Sequence, residues 1–346
     1  LTKLESAVSD FARNPNVSEL KLEVTSQNTG LNFKWHGPSS KESHLIASST
    51  KMFAATVVQQ LADDKKLELS DSIALHLPAS DFSKLNVHRG EDYTQQISVG
   101  DLLSHTSGIA DYYRLKRLPK KGDLAEISAQ DPGWSFEDAI ELVRTLPAKF
   151  PPNSGKASYS FTNYQLVGRL IEAVTHQPLD EVFTARIFEP LGLTHTTLLT
   201  PGNLEPFHSA SPVLIGKQQY LGARRIASLG AEGAIISSTG DITKFLSSFF
   251  SGELISEAGR KNLLGDWLPI FPGIRYAAGV MSLGLPRFTT RSKHNGRYFG
   301  HSGATGHIMF YDPIDRLTIV GTTNQLKPSI APYWLMASVL RIINSN

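Results

Sequence analysis

Apolar positions change period several times along the chain, and the changes outline its elements. In residues 1–14, Leu4, Val8 and Phe11 share one helical face. Leu20, Leu22 and Val24 then alternate with Glu19, Lys21 and Glu23, which predicts a strand with one buried face. Asn28-Thr29-Gly30 is a good hairpin turn, and Leu31, Phe33 and Trp35 repeat the alternation beyond it. From Ser48 to about Asp64 the period becomes helical, with Phe53, Val57 and Leu61 on the apolar face. Residues 68–205 read mostly as helix and loop, punctuated by Pro147, Pro151 and Pro152, with helices near 162–175 and 179–189. A further helix covers 239–250, started by Ser238 or Thr239 with Asp241 in its first turn. Strands return near 276–284, 297–300, 306–311 and 317–323, and a helix near 331–343 follows.

Strands therefore lie on both sides of a helical block. The simplest fold is α+β. Residues 1–67 and 206–346 would build one antiparallel sheet flanked by the terminal helices, with residues 68–205 inserted as a helical subdomain. A catalytic cleft between the two parts is the default expectation.

Composition narrows the function. Hydrophobic residues make up 40% and charged residues 19%, which suits a packed protein rather than a disordered one. The net charge of +2 comes from 34 basic and 32 acidic residues with no basic block, so no nucleic-acid partner is expected. No apolar run approaches the roughly 18 residues of a membrane span. The chain begins with an amphipathic stretch rather than a charged-then-apolar leader, and a leader removed ahead of Leu1 is equally compatible. The absence of cysteine excludes disulfides, thiol nucleophiles and thiolate metal sites. It suits a periplasmic or secreted enzyme, although a cytoplasmic one fits as well. The 11 histidines show no His-x-His pair and no HExxH helix, so neither a metal nor another cofactor is expected. The partner expected is a small molecule or peptide, and composition alone names no nucleophile.

Two Ser-x-x-Lys tetrads are candidates. In Ser18-Glu19-Leu20-Lys21 the serine opens a strand, where positions three apart point to opposite faces. In Ser48-Ser49-Thr50-Lys51 the serine opens a helix, where positions three apart share a face and the amine can reach the hydroxyl. A lysine desolvated in a cleft loses proton affinity and can take the serine proton. The plain alternative is a helix N-cap at Ser48 with Lys51 as a solvated first-turn side chain.

Further segments add specificity. Ala47 to Phe53 resembles the nucleophile motif of serine β-lactamases and penicillin-binding proteins, especially the class C-like branch. That branch includes D-alanyl-D-alanine carboxypeptidases, D-amino-acid peptidases and amidases, and family VIII esterases. Leu102-Leu103-Ser104-His105-Thr106-Ser107-Gly108-Ile109 is similar to a conserved turn of that family, Tyr159-Ser160-Phe161 falls at its Tyr-x-Asn motif, and Leu166-Val167-Gly168, Pro190 to Leu193 and Gly230 to Asp241 also match. His301-Ser302-Gly303 falls where the family has Lys-Thr-Gly or His-x-Gly. The resemblance spans roughly residues 40–325. It implies a β-lactamase/transpeptidase-like fold and a serine hydrolase. Ser48 would be acylated, and Lys51 and Tyr159 would share the proton transfers. The backbone N–H groups of Ser48 and Ala304 would form the oxyanion hole. Phe161, Ser302 and Gly303 would line the substrate site, and His301 would stand near a substrate carboxylate. For the tyrosine to act as a base, cationic neighbours would have to lower its pKa from about 10.

Two positions depart from the family pattern. Phe161 stands where many members have Asn, which predicts a more apolar cleft and weak β-lactam turnover, with Asn163 as a conceivable substitute amide. His301 replaces a permanent charge with one expected to titrate near pH 6.5. Two other readings compete. One is a receptor on the same fold that is acylated without turnover. The other is an α/β-hydrolase with Ser302 as the nucleophile in Gly300-His301-Ser302-Gly303-Ala304 and His307 as its downstream histidine.

Overall fold

The computed structural model describes residues 2–345 except 15, 16, 18, 39, 115–130, 295 and 327–329. Its helices of interest are α1 (Thr2–Ala12), α2 (Thr50–Asp63), α3 (Val99–Ser104), α4 (Phe161–Thr175), α5 (Thr239–Ser251) and α6 (Ala331–Ile343). Its main strands are β1 (Lys21–Ser26), β2 (Leu31–His36), β3 (Leu268–Phe271), β4 (Ile274–Tyr276), β5 (Met281–Gly284), β6 (Arg297–Gly303), β7 (His307–Asp312) and β8 (Leu317–Thr322). These form one antiparallel sheet in the order β3-β4-β5-β6-β7-β8-β1-β2. The early β1–β2 hairpin is therefore added beside the late strand β8, with Leu22 opposite Gly321.

Both faces of the sheet are covered. On one face Leu22, Val24, Ile308, Phe310 and Ile319 pack with α1 and α6 through Leu4, Val8, Leu335 and Val339. On the other, Met309, Tyr311 and Val320 join a larger core with α2 and α5. This explains why β7 and β8 are buried at every position, where a one-sided sheet would alternate. It also explains Lys21. Alternation placed it on an open face, yet it is fully buried.

Helix α2 is likewise buried from Thr50 to Gln59 rather than along one stripe. It runs through the centre of the molecule, with α4 against it and the ring of Phe53 stacked on Phe245 of α5 at 3.7 Å. Ser238 caps α5 by accepting from the Asp241 N–H. A short sheet of His44–Leu45, Ile235–Ser237 and Thr197–Leu198, with no long alternating run to announce it, ties the segment ahead of α2 to the rest. Among the described residues no helix is long and apolar enough to cross a membrane.

Candidate active site

The chain enters α2 through a single tight turn, Ala47–Ser49. Ala47 takes a left-handed φ of +47°, a costly conformation for a residue with a Cβ. The surroundings hold it there. The Ile46 N–H donates to the Ile235 carbonyl at 3.1 Å, and the Ile235 N–H donates to Thr50 Oγ1 at 3.1 Å. Strand β6 presses on the other side: a Cβ on Gly303 would lie 2.2 Å from the Ile46 carbonyl oxygen. Glycine at 303 is thus what lets β6 close against the turn that carries Ser48.

No side-chain cap forms at the start of this turn or of α2, and Lys51 is fully buried. The plain reading of a capping serine and a solvated lysine therefore does not describe the site. Ser48 is half-buried and faces a cavity of 440 Å³. Tyr159, Phe161, Ser302, Gly303 and Ala304 line the same cavity, as expected from sequence. So do Asp111, Phe271, Ile274, Met281 and Tyr333, which sequence did not single out. Tyr333 arrives from α6 and donates to Ser302 Oγ at 2.6 Å.

Lys51 lies under the floor of this cavity. Its Nζ donates to the Glu232 carbonyl at 2.6 Å and sits 4.5 Å from the centre of the Phe161 ring, 5.1 Å from that of Tyr159 and 5.3 Å from that of Tyr164. Ring faces attract a cation but solvate it less well than water. Burial therefore lowers the amine to about 8, against opposing attraction from Glu232 and Asp111. Phe161 does not simply leave a gap where an amide would be. It covers the lysine with its ring, and stacks on Tyr113 at 4.4 Å.

Tyr159 behaves differently from the expectation. Burial raises its phenol above the ordinary value, and the adjacent Ser48 side chain only partly opposes this. No partner meets strict hydrogen-bond geometry with its hydroxyl. Lys51 Nζ stands 5.1 Å from the centre of the Tyr159 ring, yet the phenol stays raised, with desolvation the largest cause.

His301 also departs from expectation. It is fully buried and does not line the cavity. Its Nε2 lies 3.2 Å from the Tyr276 hydroxyl, and its Nδ1 lies 2.8 Å from the Ser302 carbonyl oxygen and 2.9 Å from the Ser302 nitrogen. Burial, then the charge of Lys51, lowers its pKa to about 3. It is a neutral ring behind β6, not a group titrating near pH 6.5 beside substrate. Asn163 is no substitute amide either: its Oδ1 accepts from Ser107 Oγ at 2.7 Å and its amide nitrogen is 3.1 Å from His105 Nδ1. His105 Nδ1 also accepts from the Ser160 N–H, so this histidine carries its proton on Nε2. Its ring rests 4.3 Å from that of Tyr159 and sets the position of the phenol from behind.

The arrangement around Ser302 does not make a second nucleophile. Strand β7, not a helix, follows β6, and His307 is fully buried against His44 at 3.0 Å. Ser18 of the first tetrad lies outside the described residues, while its Lys21 is bonded to Ser211 Oγ at 2.9 Å and paired with Glu19 at 3.1 Å.

Comparisons with known proteins bear on the family and the fold. The family model described as Beta-lactamase matches residues 12–339. A putative D-alanyl-D-alanine carboxypeptidase of Escherichia coli K12 is 27% identical over 326 residues, covering 83% of this chain and 70% of the relative. The solved D-amino acid amidase of Ochrobactrum anthropi SV3 superposes with a TM-score of 0.78 at 20% identity, over 99% of this chain and 100% of that one. EstCE1, a hydrolase with promiscuous acyltransferase activity, superposes with a TM-score of 0.74 at 17% identity, over 98% of both chains. At such identities the two structures speak for the fold alone, but the family model spans most of the sequence. The chain is a hydrolase that belongs to the Beta-lactamase family.

Proposed function

We propose that this protein hydrolyses amides or esters with apolar groups next to the scissile carbonyl, through an acyl-enzyme on Ser48. The observation that carries this reading is the buried Lys51 amine, lowered to about 8, beneath a cavity onto which Ser48 opens. At neutral pH about one lysine in ten is then unprotonated, enough for a general base. Lys51 takes the Ser48 proton as the Oγ–carbon bond forms. Tyr159 stays a phenol and acts as a hydrogen-bond donor and proton conduit rather than as a standing phenolate. The backbone N–H groups of Ser48 and Ala304 receive the oxyanion, each worth about 2.7–4 kcal/mol in such sites.

Substrate preference follows from the walls. Phe161, Phe271, Ile274 and Met281 are apolar, and His301 is neutral and turned away. A β-lactam's carboxylate finds no charge from His301, and its amide finds a ring where the usual asparagine would be. The amidase and carboxypeptidase relatives make D-amino-acid derivatives the first substrates to try. A panel of p-nitrophenyl esters, D-amino-acid amides, D-Ala-D-Ala peptides and a chromogenic cephalosporin, run beside Ser48→Ala, tests the reading. Esters and amides should turn over well, the cephalosporin at most slowly, and Ser48→Ala not at all. Equal turnover of ester and cephalosporin would overturn the substrate preference. Full activity in Ser48→Ala would overturn the nucleophile. Labelling of Ser48 by a fluorophosphonate without turnover of any substrate would favour an acylated receptor.

A further inference from the structure

Glu232 is a fully buried carboxylic acid that the proposed chemistry does not use. It stands in the tight turn Gly230–Glu232, and both ends of the residue face the site. Its backbone carbonyl receives the Lys51 amine at 2.6 Å. Its side chain is also the largest charged influence on that amine, ahead of Asp111.

The hydrogen bonds around the carboxyl group fix its role. The Tyr112 hydroxyl lies 2.9 Å from Oε1 and 3.2 Å from Oε2. That hydroxyl already receives two bonds, from Trp134 Nε1 at 3.1 Å and Gln165 Nε2 at 3.2 Å. Indole N–H and amide NH₂ groups only donate. The single tyrosine proton must therefore point at Glu232, whose carboxyl group accepts. Three side chains from separate segments thus converge to present a hydrogen-bond donor to one carboxylate in a dry site. Burial raises the carboxyl group well above the ordinary carboxylate range and the Asp111 charge adds to this, while the Lys51 ammonium, then Tyr112 and Gln165, work the other way, so the anion is favoured when Lys51 carries its proton. The other ionisable groups around Lys51 are Asp111, whose attraction ranks behind that of Glu232, the phenols of Tyr159 and Tyr164, and the neutral rings of His105 and His301.

We infer that Glu232 is a positioning residue for the hydrolysis: its carbonyl holds the Lys51 amine and its carboxylate compensates the ammonium formed when Lys51 takes the Ser48 proton. The inference rests on the Ser48–Lys51 reading given above. The balance is simple. The Ser48 proton passes to Lys51 as oxygen bonds to carbon, and leaves with the departing nitrogen or oxygen. Glu232 neither gains nor loses a proton.

The test is the pH dependence of Ser48 labelling by a fluorophosphonate, together with kcat/KM for the best ester. Glu232→Gln keeps the carbonyl, the shape and an acceptor for Tyr112, but removes the charge. Without the anion Lys51 loses its proton more readily. The acid limb of both profiles should move at least about 1 pH unit lower, while the plateau of kcat falls several-fold and KM holds. Tyr112→Phe removes the donor that steadies the anion and should shift the limb in the same direction by less, so the test survives if Glu232→Gln fails to fold. A purely structural role would lower the plateau and leave the limb in place, and that result in either folded variant overturns the inference. Wild-type protein that labels elsewhere than Ser48 overturns the underlying reading instead.

Discussion

Among the described residues two lysines are completely buried, each at the end of a Ser-x-x-Lys tetrad, and only one of them packs against side chains that line the Ser48 cavity. Lys21 sits on a strand. Ser211 Oγ, the Glu42 carbonyl and the Glu19 carboxylate share its three protons, and Ser211 in turn donates to Glu19. Lys51 sits on a helix, held by one carbonyl and faced by three aromatic rings. Burial lowers the pKa of both. The difference lies in what the amine is left to do. A lysine with a full set of acceptors is a structural pin, and a lysine with one acceptor and aromatic walls has two N–H positions to offer a reaction.

Exchanging each lysine for methionine separates the two roles. Lys51→Met should lower kcat/KM by on the order of 10²–10⁴ while the protein stays folded. Lys21→Met should leave kcat/KM nearly unchanged but cost about 3 kcal/mol of stability, read by thermal or urea unfolding, because it strands Glu19. Comparable activity losses in both would erase the distinction. The pH dependence of folding sharpens it. Lys51 titrates at about 8 in the fold and near 10.5 when unfolded. Between those values the unfolded chain binds more protons, so folding gains from rising pH. Wild type should therefore gain on Lys51→Met by ~2 kcal/mol between pH 8 and 10 in chemical denaturation.

The ring over Lys51 makes a smaller prediction. Phe161→Asn replaces an apolar cover with an amide and should raise the ratio of amide or cephalosporin turnover to ester turnover about tenfold. An unchanged ratio would mean that Phe161 does not set selectivity. The smallest effect concerns His301. With its pKa held near 3, KM for a carboxylate-bearing substrate should be flat from pH 5.5 to 8.5. A rise in KM through neutrality would restore the histidine as a substrate-binding charge.

Much of this was legible in the chain. Helix periods placed α1, α2, α4, α5 and α6, and alternation placed the β1–β2 hairpin, because each has a long enough apolar pattern; β7 and β8 were expected too, although they are buried on both faces and do not alternate. The ordered segments around Ser48, Tyr159 and His301 brought Ser48, Tyr159, Phe161, Ser302, Gly303 and Ala304 to one cavity. What stayed hidden depends on packing between distant segments. The two-residue strand His44–Leu45 is too short to show a period. Lys21 and His301 carry polar names, and only the second layer over the sheet buries them. Tyr333 reaches the cavity from α6 with no local pattern to mark it. Glu232 was visible as an acid inside the glycine-bearing turn 230–233, and the missing signal was Tyr112, more than a hundred residues earlier.

The clasp of Gly303 over the Ser48 turn has a consequence for how the enzyme comes into being. Roughly 250 residues of chain separate the two, so at about 5–20 residues per second a ribosome delivers the second on the order of 13–50 s after the first. During that interval α2, buried along its first ten residues in the finished fold, lacks the late strands that cover it. Such long-range pairing also slows folding once the chain is made. The nascent chain thus exposes an apolar helix until its last strands dock, the kind of uncovered surface that makes partly folded chains prone to aggregate.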